Sequence, residues 1–284
     1  MKILIDANNI AHIAFHSMKG LSYKGKRTGV IFGFLNEMFK IAKKFKSNDL
    51  IFCWDTSRKN NLRKKIYPEY KANRDKDLTE QEKKEKKIGY KQFGILKNDV
   101  IPKLGFNSFV KKGYEADDLI AYIVRSTLVN DPILIVSTDQ DLFQLLAFFN
   151  VKIYNTRKKK LIDKVKFEKQ FNIIPEKWAL VKTLAGCSSD NIKGIKGVGE
   201  KTAIKYLNND MKKGKIFEKI ESNYKKMVLQ NFNLVCLPYI NKDFKLELKK
   251  TELSRKAFIE VFDKYGFRTF EKEFKQWEEV FNLK

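Results

Sequence analysis

The sequence predicts an α/β fold built on a parallel sheet, and three observations predict it. Short apolar runs recur through the first half of the chain, helical patterns separate them, and three of the runs end directly on an aspartate. Strands alternating with helices form βαβ units. Their sheet is covered on both faces, so its strands read as continuous apolar segments.

The elements follow in order. "KILI" runs into Asp6. "VIFGFLNEMFKIAKKF" (30–45) repeats its apolar residues at helical spacing. "LIFCW" is the second strand and runs into Asp55. The segment from Arg58 to Lys91 breaks the rhythm, with thirteen Lys/Arg and few large aliphatics. Such a stretch cannot bury much and is expected to project from the body or be mobile. "FGILKNDVIPKL" (93–104) is a helix with Pro102 near its end, and "FNSFV" is a weaker strand. "DDLIAYIVRSTL" (117–128) is the next helix, "ILIVST" the strand that runs into Asp139, "DLFQLLAFF" (141–149) a helix, and "VKIYN" (151–155) a further strand. From about 165 the texture turns to helices and glycines, with strands expected again only around 234–248. The aromatic tail "FEKEFKQWEEVF" is expected to pack its apolar face onto the body. The predicted division is an α/β core over 1–165, carrying a basic arch or clamp near 58–97, and a mostly helical region over 166–284.

Composition narrows the function. Fifty-eight Lys and Arg against 34 Asp and Glu give a net charge of +24 in 284 residues. That balance points to a polyanionic partner, nucleic acid before membrane, because no amphipathic anchor or lipidation signal accompanies it. No apolar run approaches the roughly 20 residues of a membrane helix. "MKILIDANNI" meets an acid after three apolar residues and is no signal peptide, so the expected compartment is the cytoplasm. Cys53, Cys187 and Cys236 are far apart and odd in number, which suggests neither a disulfide framework nor a zinc site.

The acids carry the chemistry. In an open α/β sheet the ligand site lies beyond the carboxyl ends of the strands. Asp6, Asp55, Glu115, Asp117, Asp118, Asp139 and Asp141 then converge on one rim. At ~4 Å each like-charged pair costs about 4 kcal/mol at an effective dielectric near 20, so protons or divalent cations must share the site. Taken singly, Asp117 and Asp118 would serve as helix N-terminal charges and Asp139 as a helix cap. Their recurrence after four strands favours a metal site, and oxygen-only ligands favour Mg²⁺ or Mn²⁺. On a basic protein such a site suggests phosphodiester chemistry.

Two basic features accompany it. Lys71 and Arg74 are three apart and share a face if they open a helix, with Tyr70 beside them. "GIKGVGEKTA" places Gly194, Gly197 and Gly199 in a tight turn before a helix opening near Glu200, with Lys196 and Lys201 adding charge. Such a turn lets backbone N–H groups meet a phosphate and reads backbone, not sequence. Its spacing fits neither a Walker A loop nor a Rossmann fingerprint, which argues against a nucleotide cofactor. His12 and His16 lie i,i+4 and read as packing or surface residues. No Ser or Cys shows the surroundings of a nucleophile.

These motifs together resemble the 5′-nuclease family of flap endonucleases, phage 5′→3′ exonucleases and the 5′-nuclease domain of bacterial DNA polymerase I. "ILIDANN", "WDTSRKNNLRKKIYPEYKANRD", "YEADDLIA", "STDQDLFQLL" and "AGCSSDNIKGIKGVGEKTA" occur in the family's order between residues 3 and about 207. The resemblance implies a PIN-like parallel-sheet nuclease core with a helical arch and a helix–three-turn–helix DNA-binding element. It implies divalent-metal-dependent hydrolysis of DNA near 5′ ends, as exonuclease and at flaps; the chain itself is expected to be a monomer. The first metal site would use Asp6, Asp55, Glu115 and Asp117, with Asp118 nearby. The second would use Asp139, Asp141 and Asp190, sharing Asp117 or Asp118. Lys71 and Arg74 would be near-catalytic, Tyr70 would stack on a base, and the turn carbonyls would hold K⁺.

Two positions depart from the family pattern. Cys187 stands where "GDxxDN" has its aspartate, and a thiol suits Mg²⁺ poorly, so the second site is expected to be weakened. Ile13 stands where many relatives carry an arginine, which removes a phosphate contact. The rival readings are a branched-DNA-binding protein with weak catalysis and a nuclease for RNA or RNA–DNA hybrids.

Overall fold

The computed structural model describes residues 1–18, 20–76, 78–128, 130–239 and 246–284. Its main sheet has six strands: β1 (Lys2–Asp6), β2 (Leu50–Trp54), β3 (Asn107–Val110), β4 (Ile133–Val136), β5 (Val151–Asn155) and β6 (Lys160–Ile162), in the order β3-β2-β1-β4-β5-β6. The first five run parallel, with Ile3 beside Leu50, Lys2 beside Ile133, Ile51 beside Asn107 and Ile133 beside Val151. β6 pairs antiparallel with β5, an edge strand too short to stand out in the sequence. Strand order reverses direction at β1, so the crevice between the carboxyl ends of β1 and β4 is the topological switch point.

Side chains alternate between the two faces of the sheet. Ile3, Ile5, Phe52, Trp54, Leu134 and Val136 enter one apolar core, while Leu4, Ile51, Cys53, Ile133 and Ile135 enter the other. The first core is covered by α1 (Ala7–Ser17) and α2 (Gly29–Phe45). The C-terminal helices complete it: Phe258 and Phe281 pack near Phe106, and the Trp277 ring lies 4.6 Å from that of Phe39. The aromatic tail therefore packs as its amphipathic pattern predicts. The second core is covered by helices at Ala116–Tyr122, Trp178–Ala185, Glu200–Leu207 and Lys215–Val235.

Three segments differ from expectation. The basic stretch does not simply project: Arg63 is 2% exposed and Tyr70 2%. Both fold back onto acidic partners, which their neighbouring lysines conceal in the sequence. Further on, a helix over Glu80–Ile95 continues through a wide π turn at Leu96–Val100 into Ile101–Lys103. Pro102 has no N–H to give and crowds the preceding turn, which the wider turn accommodates. The helix expected over 141–149 is a 3₁₀ helix, Asp141–Ala147. Finally, the region around 234–248 holds no strand among its described residues: a helix runs to Val235, and 240–245 lie outside the described residues. None of the described helices is long and apolar enough to cross a membrane.

Candidate metal and DNA site

Hydrogen bonds stitch the strand ends to one another. Asp6 ends β1 and caps α1, its carboxylate accepting from the Asn9 backbone N–H at 3.0 Å. Its other oxygen accepts from Ser137 Oγ at 2.8 Å, just past β4. Asp55, just past β2, donates its N–H to Asn8 Oδ1 at 2.9 Å, and its carboxylate accepts from the Ala116 N–H at 2.8 Å. Asp139 donates its N–H to the same Ser137 hydroxyl at 3.0 Å and accepts from the Asp141 N–H at 2.9 Å. Asn9 and Thr138 close the switch point through paired hydrogen bonds of 2.6 and 3.2 Å. The supporting residues Asn8, Asn9, Ser137 and Thr138 lie inside the motifs quoted above, but nothing in the sequence marked them as the scaffold.

The acids feel one another. Burial, then the Asp55 charge, pushes the Asp6 carboxyl up to about 7. Burial and Glu115 raise Asp55. Burial, Asp139 and Asp6 hold Asp117 well above the usual carboxylate range. Burial and Asp139 push Asp141 up to about 7. Crowded carboxylates either keep their protons or take a cation, and the donor set here fits a hard divalent ion.

One flank of the cluster is cationic. Glu115 accepts from Tyr70 Oη at 2.7 Å, from Lys71 Nζ, and from Arg63 Nη1 at 3.3 Å. Burial opposes its charge, but Lys71 and Arg63 bring the carboxyl down to about 2. Lys71 adopts the left-handed conformation (φ 56°) and precedes a 3₁₀ turn at Ala72–Asp75. Asp190 accepts from Arg74 Nη2 at 2.8 Å and from Tyr70 Oη at 3.2 Å. Lys71 and Arg74 therefore do sit beside the acids.

Two expectations need correction. Asp118 was expected among the cation ligands, but it is fully buried and faces Arg63. It accepts from Arg63 Nη1 and Nη2 at 2.7 and 2.9 Å, from the Glu115 N–H at 3.0 Å and from the Tyr239 N–H at 2.8 Å. Four donors leave it no vacancy for an ion. Tyr70 was expected to stack on a base, but its ring is buried and its hydroxyl bridges Glu115 and Asp190.

The remaining acids face a short hairpin. Ligand atoms of Asp141, Cys187 and Asp190 lie within 4.8 Å of one another. Lys182, 7% exposed, stands over them, 2.7 Å from Glu200 and 3.9 Å from Asp141. Sequence reasoning missed Lys182, which sits in a helix whose only other polar residue is Thr183.

Farther along, Gly194 serves packing: a Cβ there would stand 2.2 Å from the Ala185 carbonyl carbon. Gly197 takes φ +87°, and Gly199 caps the helix Glu200–Leu207 in open space. Lys196 and Lys201 are exposed, and the Lys196 carbonyl accepts from Lys219 Nζ at 2.6 Å. On α1, His12 packs edge-on against Tyr90 and Phe93, and burial lowers it to about 4. Ile13 packs against the first core. A cleft of about 670 Å³ opens between α1 and the helix Glu80–Ile95, lined by His12, His16, Glu82, Lys86 and Tyr90 among others.

Known proteins share this fold and carry related sequences. Residues 1–172 match the family profile "5′-3′ exonuclease, N-terminal resolvase-like domain". The chain is 29% identical to a 5′-3′ exonuclease of Mycoplasmopsis pulmonis, over 96% of this chain and 93% of that protein. It is 32% identical to a 5′-3′ exonuclease of Aquifex aeolicus, over 78% of this chain and 73% of that one. Among solved structures, a T5 5′-exonuclease with bound zinc superposes with a TM-score of 0.71 at 23% identity, covering 84% of this chain and 89% of that one.

Proposed function

The chain belongs to the 5′-3′ exonuclease family, and from that premise we propose that it cuts DNA near 5′ ends, as an exonuclease and at flaps, using divalent cations held by its acid cluster. The observation that carries this reading is the convergence of Asp6, Asp55, Asp117, Asp139 and Asp141 on the switch point, where burial first and neighbouring carboxylates second hold up the carboxyls of Asp6, Asp55, Asp117 and Asp141. Solved neighbours that contain DNA and metal ions are in keeping with it.

In this reading Asp6, Asp55, Glu115 and Asp117 hold one Mg²⁺ or Mn²⁺. Asp139, Asp141 and Asp190 hold the other, with Asp117 facing both. Bound divalent ions supply Lewis acidity and charge neutralisation at the scissile phosphodiester. Glu115 also accepts from Lys71 Nζ and so orients it. Lys71 and Arg74 stabilise the charge that builds on the phosphate. The turn through Gly197 and Gly199, with Lys196 and Lys201, grips the DNA backbone. K⁺ on the turn carbonyls belongs to the same reading, with the Lys219 ammonium as its competitor. The two-part division at 165/166, a monomeric state and a cytoplasmic setting complete it.

The experiment is cleavage of a 5′-labelled flap and of a 5′-recessed duplex, with Mg²⁺ and with EDTA, by wild type and Asp117→Ala. Products from wild type with Mg²⁺ alone are expected. Equal cutting by both proteins would remove the metal cluster from the mechanism. Faster cutting of a 5′-labelled RNA primer on DNA would move the substrate to hybrids. Flap binding without cutting would favour the binding-protein reading that Cys187 motivates.

A further inference from the structure

The hairpin that carries Cys187 and Asp190 is the point where this chain's donor set changes character. Gly186–Cys187 pairs with Ile192–Lys193, and the intervening 3₁₀ turn is anchored from outside. Asn73 Nδ2 donates to the Ser188 carbonyl at 2.9 Å and Arg74 Nε to the Ser189 carbonyl at 3.2 Å. The Lys71 N–H donates to the Asp190 carbonyl at 2.9 Å, and Asn191 Nδ2 to the Glu69 carbonyl at 2.8 Å. The backbone that carries Cys187 and Asp190 is thus anchored before any ion arrives.

We propose that Asp141, Cys187 and Asp190 form a mixed carboxylate–thiolate site that takes a borderline divalent ion of the cobalt–zinc class in preference to Mg²⁺, with Cys187 Sγ as a direct ligand. This rests on the reading of the acid cluster as cation-binding and names what its second site selects.

Ligand softness is the first ground. Thiolate sulfur binds cobalt and zinc well and Mg²⁺ poorly, while carboxylates serve either. Charge is the second. A neutral thiol leaves the set one negative charge short of the three-aspartate pattern, and Lys182 adds a positive charge 3.9 Å from Asp141. Both losses fall hardest on Mg²⁺, which binds through charge and oxygen geometry. A thiophilic ion recovers the missing charge on binding: the S–H bond breaks, the sulfur–metal bond forms, and the proton leaves to solvent. The third ground is local support for sulfur. Ser189 Oγ lies 3.1 Å from Cys187 Sγ, placed to donate to a thiolate and orient it.

The test reads spectroscopy, not cleavage. Co²⁺ titrated into the intact protein is expected to produce the near-ultraviolet sulfur-to-cobalt charge-transfer band. The band is expected to persist in Cys236→Ser and to vanish in Cys187→Ser. In Cys187→Asp cobalt should still bind, shown by its visible bands, but without the sulfur band, which separates loss of the ligand from loss of the fold. X-ray absorption of the zinc-loaded protein is expected to show sulfur at about 2.3 Å. Cys187→Asp is also expected to bind Mg²⁺ at least tenfold more tightly in calorimetry. Cobalt binding without a sulfur band in wild type, or a band that survives Cys187→Ser, overturns the proposal. An inactive protein that keeps the band would instead count against the nuclease reading alone.

Discussion

Arg63 grips Asp118 with two parallel hydrogen bonds of 2.7 and 2.9 Å, with side chains only 3% and 0% exposed. The guanidinium also donates to Glu115 at 3.3 Å and to the Leu234 carbonyl at 2.9 Å, and it stacks on Tyr239. One cation therefore ties the basic stretch, the helix that presents Asp117, and the end of the long helix Lys215–Val235. Breaking a buried pair leaves the partner charge stranded, at about 3–5 kcal/mol. Arg63→Met is expected to lower denaturant stability by that order. Asp118→Asn is expected to destabilise as well, with the Mg²⁺ midpoint of cleavage unchanged. A several-fold shift of that midpoint would return Asp118 to the ligand set.

The acid cluster sets a pH dependence of the metal-free protein. Asp6 and Asp141 have folded-state carboxyls at about 7, against an ordinary 3.8. A raised acid contributes stability that is fully present below the unfolded value and is lost as pH rises through the folded one. Glu115, brought down from an ordinary 4.5 to about 2, acts in the opposite sense and loses its contribution progressively as pH falls from about 4.5 through about 2. In EDTA, melting temperature is therefore expected to fall between about pH 4 and 7. Mg²⁺ should raise it more at pH 8 than at pH 5, because a cation relieves repulsion only where the acids are ionised. A chain this long shifts roughly 2–4 °C per kcal/mol, which calorimetry resolves. A Mg²⁺ shift equal at both pH values would contradict this account.

The strand-end acids were legible because a buried parallel strand is an unbroken apolar run, and an acid at its end is a visible break. Asp6, Asp55 and Asp139 needed nothing more. Asp117 and Asp118 were not separable in the same way. Neighbours on a helix point about 100° apart, and which one faces the rim depends on Arg63, fifty-five residues from Asp118. Tyr70 was misread and Arg63 passed over for a related reason: their burial comes from folding back onto Glu115 and Asp190, and local composition carries no trace of that. Lys182 was hidden because its partners, Asp141 and Glu200, come from other elements.

Lys71 lies against Glu115 and 3.9 Å from Asp190, within the acidic rim rather than in solvent. Burial disfavours its charge, yet Glu115 and Asp190 raise its pKa, so it is charged at any working pH. A preorganised cation aimed at developing phosphate charge is worth about 10²–10³ in rate. Lys71→Ala is expected to slow single-turnover cleavage by that order while flap affinity changes much less. A loss confined to affinity would make Lys71 a gripping residue only.

Lys196 and Lys201 flank the turn whose Gly199 opens the helix Glu200–Leu207, and both are exposed. If they neutralise DNA phosphates, each releases condensed counterion, and the logarithm of affinity falls with the logarithm of salt by about 0.9 per contact on duplex DNA. Lys196→Ala with Lys201→Ala is expected to reduce that slope by about 2, equally on duplexes of different sequence, because the contact is to backbone. Gly199→Ala, with open space around its added Cβ, is expected to fold normally, whereas Gly194→Ala would drive a methyl into Ala185 and destabilise the hairpin. Reading the salt slope in the double lysine variant therefore isolates charge from folding. An unchanged slope would place the DNA backbone elsewhere on the basic surface.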